Sequence, residues 1–158
     1  MAASGTELRE VMRRFPAPVA VVTTRVDDER YGFTAGSVVS LSLEPPLVGV
    51  SVGLESSSHE PLRRARGFAI SLLSEHQVEV AQHFARSGVP PLVLWEGARV
   101  RDGEVGPLVE DALAWLECRT WAEYDAGDHT LFIGEVQSME LGSRARGLVY
   151  RDSTYHAA

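Results

Sequence analysis

The sequence is short of several things, and each shortage closes off a class of explanation. It has a single cysteine, Cys118, so no disulfide can form within the chain, and a reducing, cytoplasmic setting is the expectation. No apolar run approaches the roughly 18 residues that cross a bilayer as a helix, so no membrane partner is expected. The start of the chain lacks the charged, apolar and cleavable sections of a secretory signal. Basic residues are outnumbered, 15 against 22 acidic ones, for a net charge of -7. Nucleic acid is therefore not an expected partner, because neutralising phosphates takes a cationic surface. The five histidines contain no HxH or HxxxH pair, so no metal site is expected. There is no GxSxG elbow for a serine hydrolase, and no internal repeat. What is present is 158 residues, of which 44% are hydrophobic, enough for one core and hence one domain over residues 1–158.

Along the chain, Ser4 and Glu7 have capping-box spacing, with Leu8, Val11, Met12 and Phe15 following at i, i+3, i+4 and i+7. This predicts a short amphipathic helix, stopped by Pro16 and Pro18. Val19 to Val26 reads as a buried β-branched strand ending in the turn Asp27-Asp28-Glu29. A second strand is expected from about Phe33 to Leu43, with Pro45-Pro46 as its terminator, and a third from Leu47 to Val52. Ser57 or Ser58 then caps a helix through Pro61 to Arg66 that Gly67 ends, and Phe68 to Leu73 returns as a strand. A second capping box, Ser74 and Gln77, opens a helix with Val78, Ala81, Phe84 and Ala85 on its apolar face, ending near Gly88. A loop-rich excursion surrounds Trp95. Two long strands, about Leu113 to Glu123 and Thr130 to Leu141, meet at the turn Asp125-Ala126-Gly127-Asp128, and Leu148 to Tyr150 adds a short one. Even spacing puts Trp115 and Trp121 on one strand face, where core packing accounts for them. Three strands with short turns in the first third point to a mainly β, antiparallel barrel or sandwich with flanking helices rather than βαβ units.

Three places have the chemistry of a binding site, and each also has a plain structural reading. The turn Thr34-Ala35-Gly36-Ser37 offers small side chains, hydroxyls and open backbone amides against which a planar ligand can lie, but Gly and Ser also mark ordinary turns. Ser56, Ser57, Ser58 and His59 stand where a helix begins, a natural seat for phosphate, though N-capping needs only one serine. Arg63, Arg64 and Arg66 either reinforce that seat or form the solvated face of the helix. His129, after Gly127-Asp128, enters a strand where it can point into a cleft or do nothing special. Tyr150 and Tyr155 end the chain as terminal packing or as the wall of a pocket.

Taken together, the segments LREVMRRFPAPVAVVTT, GFTAGSVVSLSLEPPLVGVSV, SSSHEPLRRARGFAISLLSEHQVEVAQHFARSG, ALAWLECRTWAEYDAGDHTLFIGEV and LVYRDSTY resemble the short-chain flavin reductase family. The most specific elements are the G-x-T-A-x-S turn with S-x-S-x-x-P-P behind it and the G-D-H before a strand. The resemblance implies an FMN-binding split β-barrel, an antiparallel Greek-key fold. It also implies an NAD(P)H:flavin oxidoreductase that passes hydride from NADH or NADPH to FMN or FAD and supplies reduced flavin to a partner monooxygenase. By the same resemblance, Thr34, Ala35, Gly36 and Ser37 line the flavin ring and ribityl chain, while Ser51, Val52, Ser56, Ser57 and Ser58 carry ribityl and phosphate contacts. His129 lies on the nicotinamide side, with Tyr150 and Tyr155 nearby, and the protein is a homodimer with the flavin close to the subunit interface.

The chain departs from the family pattern in three places. Gly36 stands where Asn is common, Val89-Pro90-Pro91-Leu92 replaces a basic-Phe pair, and Asp152-Ser153 occupies a turn that usually holds Gly. These departures keep two alternatives in view: a flavoenzyme with tightly held FMN acting directly on an organic substrate, and a flavin-binding accessory protein without turnover.

Overall fold

The computed structural model describes residues 1–158 and is mainly β with four short helices. In chain order the elements begin α1 (Gly5–Met12), β1 (Ala17–Pro18), β2 (Ala20–Val26), β3 (Glu29–Ala35), β4 (Val39–Leu43), β5 (Pro46–Gly53), α2 (His59–Arg64) and β6 (Gly67–Leu72). They continue α3 (Val78–Phe84), α4 (Pro91–Trp95), β7 (Val100–Asp102), β8 (Pro107–Val109), β9 (Ala114–Ala126), β10 (His129–Leu141), β11 (Leu148–Arg151) and β12 (Thr154–Ala157). Seven strands form one antiparallel sheet in the order β3-β2-β6-β9-β10-β5-β4, leaving β3 and β4 as its edges. A three-stranded sheet, β1-β11-β12, and the hairpin β7-β8 flank it.

Strand alternation sorts the large sheet into two faces. One face buries Val22, Val50, Phe68, Cys118 and Phe132 together with Leu62 of α2, the helix that covers this core. Along β2 the opposite face buries Val21 against Ala81 and Phe84 of α3 and Trp95 of α4. Trp95 is fixed by donating its indole N–H to the carbonyl of Arg30 at 3.0 Å, which accounts for an ordered helix inside the expected excursion.

The predicted second strand is in fact two. β3 pairs with β2 and β4 pairs with β5, so the chain leaves one edge of the sheet at Gly36-Ser37-Val38 and joins the other. No periodicity signals this break, because both halves alternate in the same way. Gly67 does not close α2 either. It is the first residue of β6, and a Cβ there would collide with the carbonyl oxygen of Cys118 on β9, so glycine is required by close approach. The β11-β12 hairpin turns through Asp152 and Ser153, with φ of 50° and 61°, in the manner of Asp27 and Asp28 in the β2-β3 hairpin, with φ of 51° and 65°. Two successive left-handed residues make the primed turn that matches strand twist, and short polar side chains tolerate it without glycine.

The first capping box forms as expected: the Ser4 hydroxyl accepts from the amide of Glu7, whose carboxylate accepts from the Ser4 amide at 2.7 Å. The helix it opens buries nothing, however, and Leu8, Val11, Met12 and Phe15 are all exposed. The second box is half made. Gln77 accepts from the Ser74 amide at 3.0 Å, while the Ser74 hydroxyl turns to the amide of His76. Trp115 is buried as expected, whereas Trp121, at a bulge between β9 and β10, is half exposed.

Burial pushes the Cys118 thiol up to about 12, with the charge of Glu117 adding to the effect. The thiolate is the reactive form. The native protein should therefore give no measurable reaction with a disulfide reagent at pH 8 and release one equivalent of thiol in denaturant, followed by absorbance of the released chromophore.

Candidate functional site

The residues of greatest interest gather at one end of the sheet, where β5 and β10 run side by side. Their pairing sets His129 opposite Gly53 and Leu131 opposite Ser51, on the face away from the Val50–Phe132 core. A Cβ built on Gly53 would lie 3.8 Å from His129 Nε2, so the missing side chain leaves bare backbone beside the ring. Along β5 the same face carries Leu47, Gly49, Ser51 and Gly53. Gly49 is roofed by Leu41 and Leu131, so the low strip is Ser51 to Gly53. Gly53 lies outside the residues expected from the sequence, where its signal is the run of small residues Gly49, Ser51 and Gly53 at alternate positions of a strand.

Ser37 closes this end. Its hydroxyl donates to the Ser51 carbonyl at 3.0 Å and accepts from the Ser51 amide at 3.1 Å. These are edge groups of β5 beyond the reach of β4, whose pairing ends at Gly49. Ser37 also lies two residues past the end of β3, so the two ends of the seven-stranded sheet are drawn together through one side chain. Next to it, a Cβ on Gly36 would stand 3.3 Å from that of Ala17, the residue paired with Tyr150. Tyr150 and Tyr155 pack with ring centroids 4.9 Å apart, and burial of Tyr155 raises its phenol above the ordinary range.

His129 is oriented by its neighbour: Nδ1 lies 2.7 Å from the carboxylate of Asp128. An ionised carboxylate only accepts, so Nδ1 bears the proton and Nε2 is the free end of the ring. The same hydrogen bond, then the charge of His129, holds the Asp128 carboxyl below its usual range, with a smaller contribution from Arg9 of α1. The serine loop reaches this point too. The Leu54 amide donates to the Asp128 carbonyl at 2.9 Å, and the Ser56 amide to that of Gly53 at 3.0 Å.

Other members of the predicted set face elsewhere. Thr34 donates its hydroxyl to the Ala81 carbonyl of α3 at 2.6 Å, and Ala35 and Val52 are buried in the core. Ser58 stands before α2 without a side-chain capping bond, while the Ser56 hydroxyl accepts from the Ser58 amide. Ser57 is exposed. Arg63 and Arg64 do not reinforce the serines. Arg63 binds Glu123 at 3.2 Å and approaches Asp125 at 3.8 Å, and Arg64 binds Asp27 at 2.7 Å, all on hairpin ends. Two surface hollows, one of about 390 Å³ between α3 and the Glu96–Val100 segment and one of about 470 Å³ beside Arg66, Glu117 and Ser138, lie away from this cluster, which is an open face of the sheet.

This arrangement has counterparts among known proteins. Residues 12–158 match the family model described as flavin reductase like domain. The chain is 40% identical over 147 residues to the reductase component of 4-hydroxyphenylacetate 3-monooxygenase from Thermus thermophilus, covering 93% of this chain and 92% of that one. It is 41% identical over 139 residues to an NADH:riboflavin 5'-phosphate oxidoreductase from Streptomyces pristinaespiralis, covering 87% and 78%. In structure it is similar to a Streptomyces globisporus NADH:FAD oxidoreductase solved in complex with NAD and FAD fragments. The TM-score is 0.90 at 35% identity, over 97% of this chain and 92% of that one.

Replacing Ser37 with alanine removes both bonds to Ser51 and leaves an amide and a carbonyl of β5 without their partner. The expected loss is about 2 kcal/mol of stability, read as a lower denaturation midpoint with an unchanged slope. No change in midpoint would show that the latch is not needed.

Proposed function

The chain belongs to the flavin reductase-like family, and from that membership we propose that it is an NADH:flavin oxidoreductase that supplies reduced flavin to a partner monooxygenase. The observation that carries this reading is the placement of His129 beside Gly53 and Ser51, where small side chains leave strand backbone open at the edge of an imidazole. That strip fits a flat ring. A bound flavin, FMN or FAD, supplies the acceptor for the hydride of the dihydronicotinamide, and the chain supplies position, stacking surface and exclusion of water. In this reading Ser37 and Ser51 shape the floor through their mutual bonds, and Gly36 keeps the adjoining turn low. The loop of Ser56, Ser57 and Ser58 serves the ribityl and phosphate end through the Ser56 and exposed Ser57 hydroxyls, while buried Ser58 contributes by its place in the loop. Asp128 fixes the proton of His129 on Nδ1, so Nε2 is the end presented to the nicotinamide. Thr34, Ala35 and Val52 contribute through their backbone, since their side chains are turned inward or engaged. Tyr150 and Tyr155 wall the side reached through Ala17.

The fold is read as the split barrel of this family, built as one domain, with Ser37 bridging the gap that strand pairing leaves. We also read the protein as a homodimer. The face that holds His129 continues into exposed apolar residues, Leu41 and Val39 beside Gly49 and Tyr124 opposite Leu131, while α1 presents its own uncovered apolar stripe. Patches of this kind on a folded protein mark contact surfaces, and a second copy placed there would roof the flavin strip.

The function is tested by steady-state NADH oxidation with and without added flavin. Saturable dependence on free FMN or FAD is expected, whereas turnover that ignores added flavin would point to a tightly held group. In that assay His129→Ala should lower kcat/KM for NADH by about tenfold to a hundredfold while flavin affinity changes little, and an equal loss of both would make the residue structural. Sedimentation should give about twice the 17.2 kDa chain mass, and a monomer at all concentrations would remove the proposed roof.

A further inference from the structure

His59, which the sequence groups with the serines as a phosphate seat, is instead buried and engaged within the fold. His59, the first residue of α2, is 5% exposed, and its Nε2 lies 2.8 Å from the hydroxyl of Thr130, which is fully buried. Thr130 has one hydroxyl proton, and it is donated to the Asp125 carboxylate at 3.0 Å. The Thr130 oxygen must therefore accept from His59, which puts a proton on Nε2. The His59 ring is further held edge-on to Phe132, with centroids 5.6 Å apart. Arg63, one turn along α2, reaches the same hairpin at Glu123 and Asp125.

The sequence positions give this contact its meaning. Thr130 directly follows His129, and His59 directly follows the serine loop. At the other end of that loop the Leu54 amide is bonded to Asp128, which directly precedes His129. The Leu54–Ser58 loop is thus tied to β10 on both sides of His129, by a backbone bond on one side and by the His59–Thr130 bond on the other. We infer that His59 is a positioning residue that locks the serine loop and His129 into one unit, fixing the distance between the two ends of the flavin strip. It acts through Thr130 and the loop and does not touch the ligand. The inference rests on the flavin reading above.

Four variants test it: His59→Leu, which keeps the bulk and removes the donor; His59→Gln, which keeps an N–H at similar reach; Thr130→Val; and the Leu/Val double variant. FMN affinity is measured by flavin fluorescence quenching, independently of turnover, with kcat and the thermal midpoint alongside. His59→Leu and Thr130→Val should each weaken FMN about tenfold, the double variant should be no worse than the weaker single, and His59→Gln should stay within about twofold of the natural protein. A lower midpoint with unchanged FMN affinity would make His59 structural only and overturn the inference, as would losses that simply add in the double variant. If the natural protein neither binds flavin nor oxidises NADH, the functional reading falls and takes this inference with it. If the natural protein binds and turns over but the variants bind as well as it does, this inference alone falls.

Discussion

One serine hydroxyl shared between the amide and the carbonyl of another serine holds the working end of this molecule together. A seven-stranded antiparallel sheet has two edges with unpaired backbone, and here the edge beyond β4 is completed by the side chain of Ser37 rather than by a strand. That bond brings the turn after β3 against β5, and β5 in turn carries Ser51 and Gly53 past His129. If the contact were a full strand pairing, the edge of β5 beside Ser51 and Gly53 would be occupied by another backbone. A hydroxyl takes up two bonds in the space of one residue and leaves the rest open.

Much of this was legible in the residues. The capping box at Ser4, the long hairpin around Asp125–Asp128 and the placement of His129 at a strand entrance follow from local chemistry: spacing, turn residues and alternation. Two things were not. The break at Gly36–Val38 is invisible to periodicity because the apolar residues keep the same odd-numbered phase across it, although Phe33 and Ala35 face the core and Val39 and Leu41 lie outward over Gly49. The roles of Gly53, Gly67 and His59 depend on what another strand brings near, Gly67 standing against the Cys118 carbonyl and His59 against Thr130. Helix signals left two readings open where a tertiary partner decides. The arginines after the serine triplet look like an anion site in sequence, and Glu123, Asp125 and Asp27 claim two of them in space.

Every basic side chain in the sequence is arginine, and lysine is absent. The planar guanidinium can serve two carboxylates at once, and the fold uses this twice. Arg63 joins α2 to Glu123 and Asp125, and Arg99 joins Glu110 and Asp111. With acids in excess, such sharing lets few cations hold several hairpin ends, although exposed pairs of this kind each add little stability.

The half-exposed Trp121 and Tyr124 lie on the strand beside the one that carries His129. Under the proposed assembly, the surface that receives ligand is the surface that receives the second subunit. The two associations are then linked by mass action: dilution that separates the subunits must loosen flavin, and flavin must in turn favour pairing by the same factor. Chain concentration becomes a thermodynamic variable of the active centre itself.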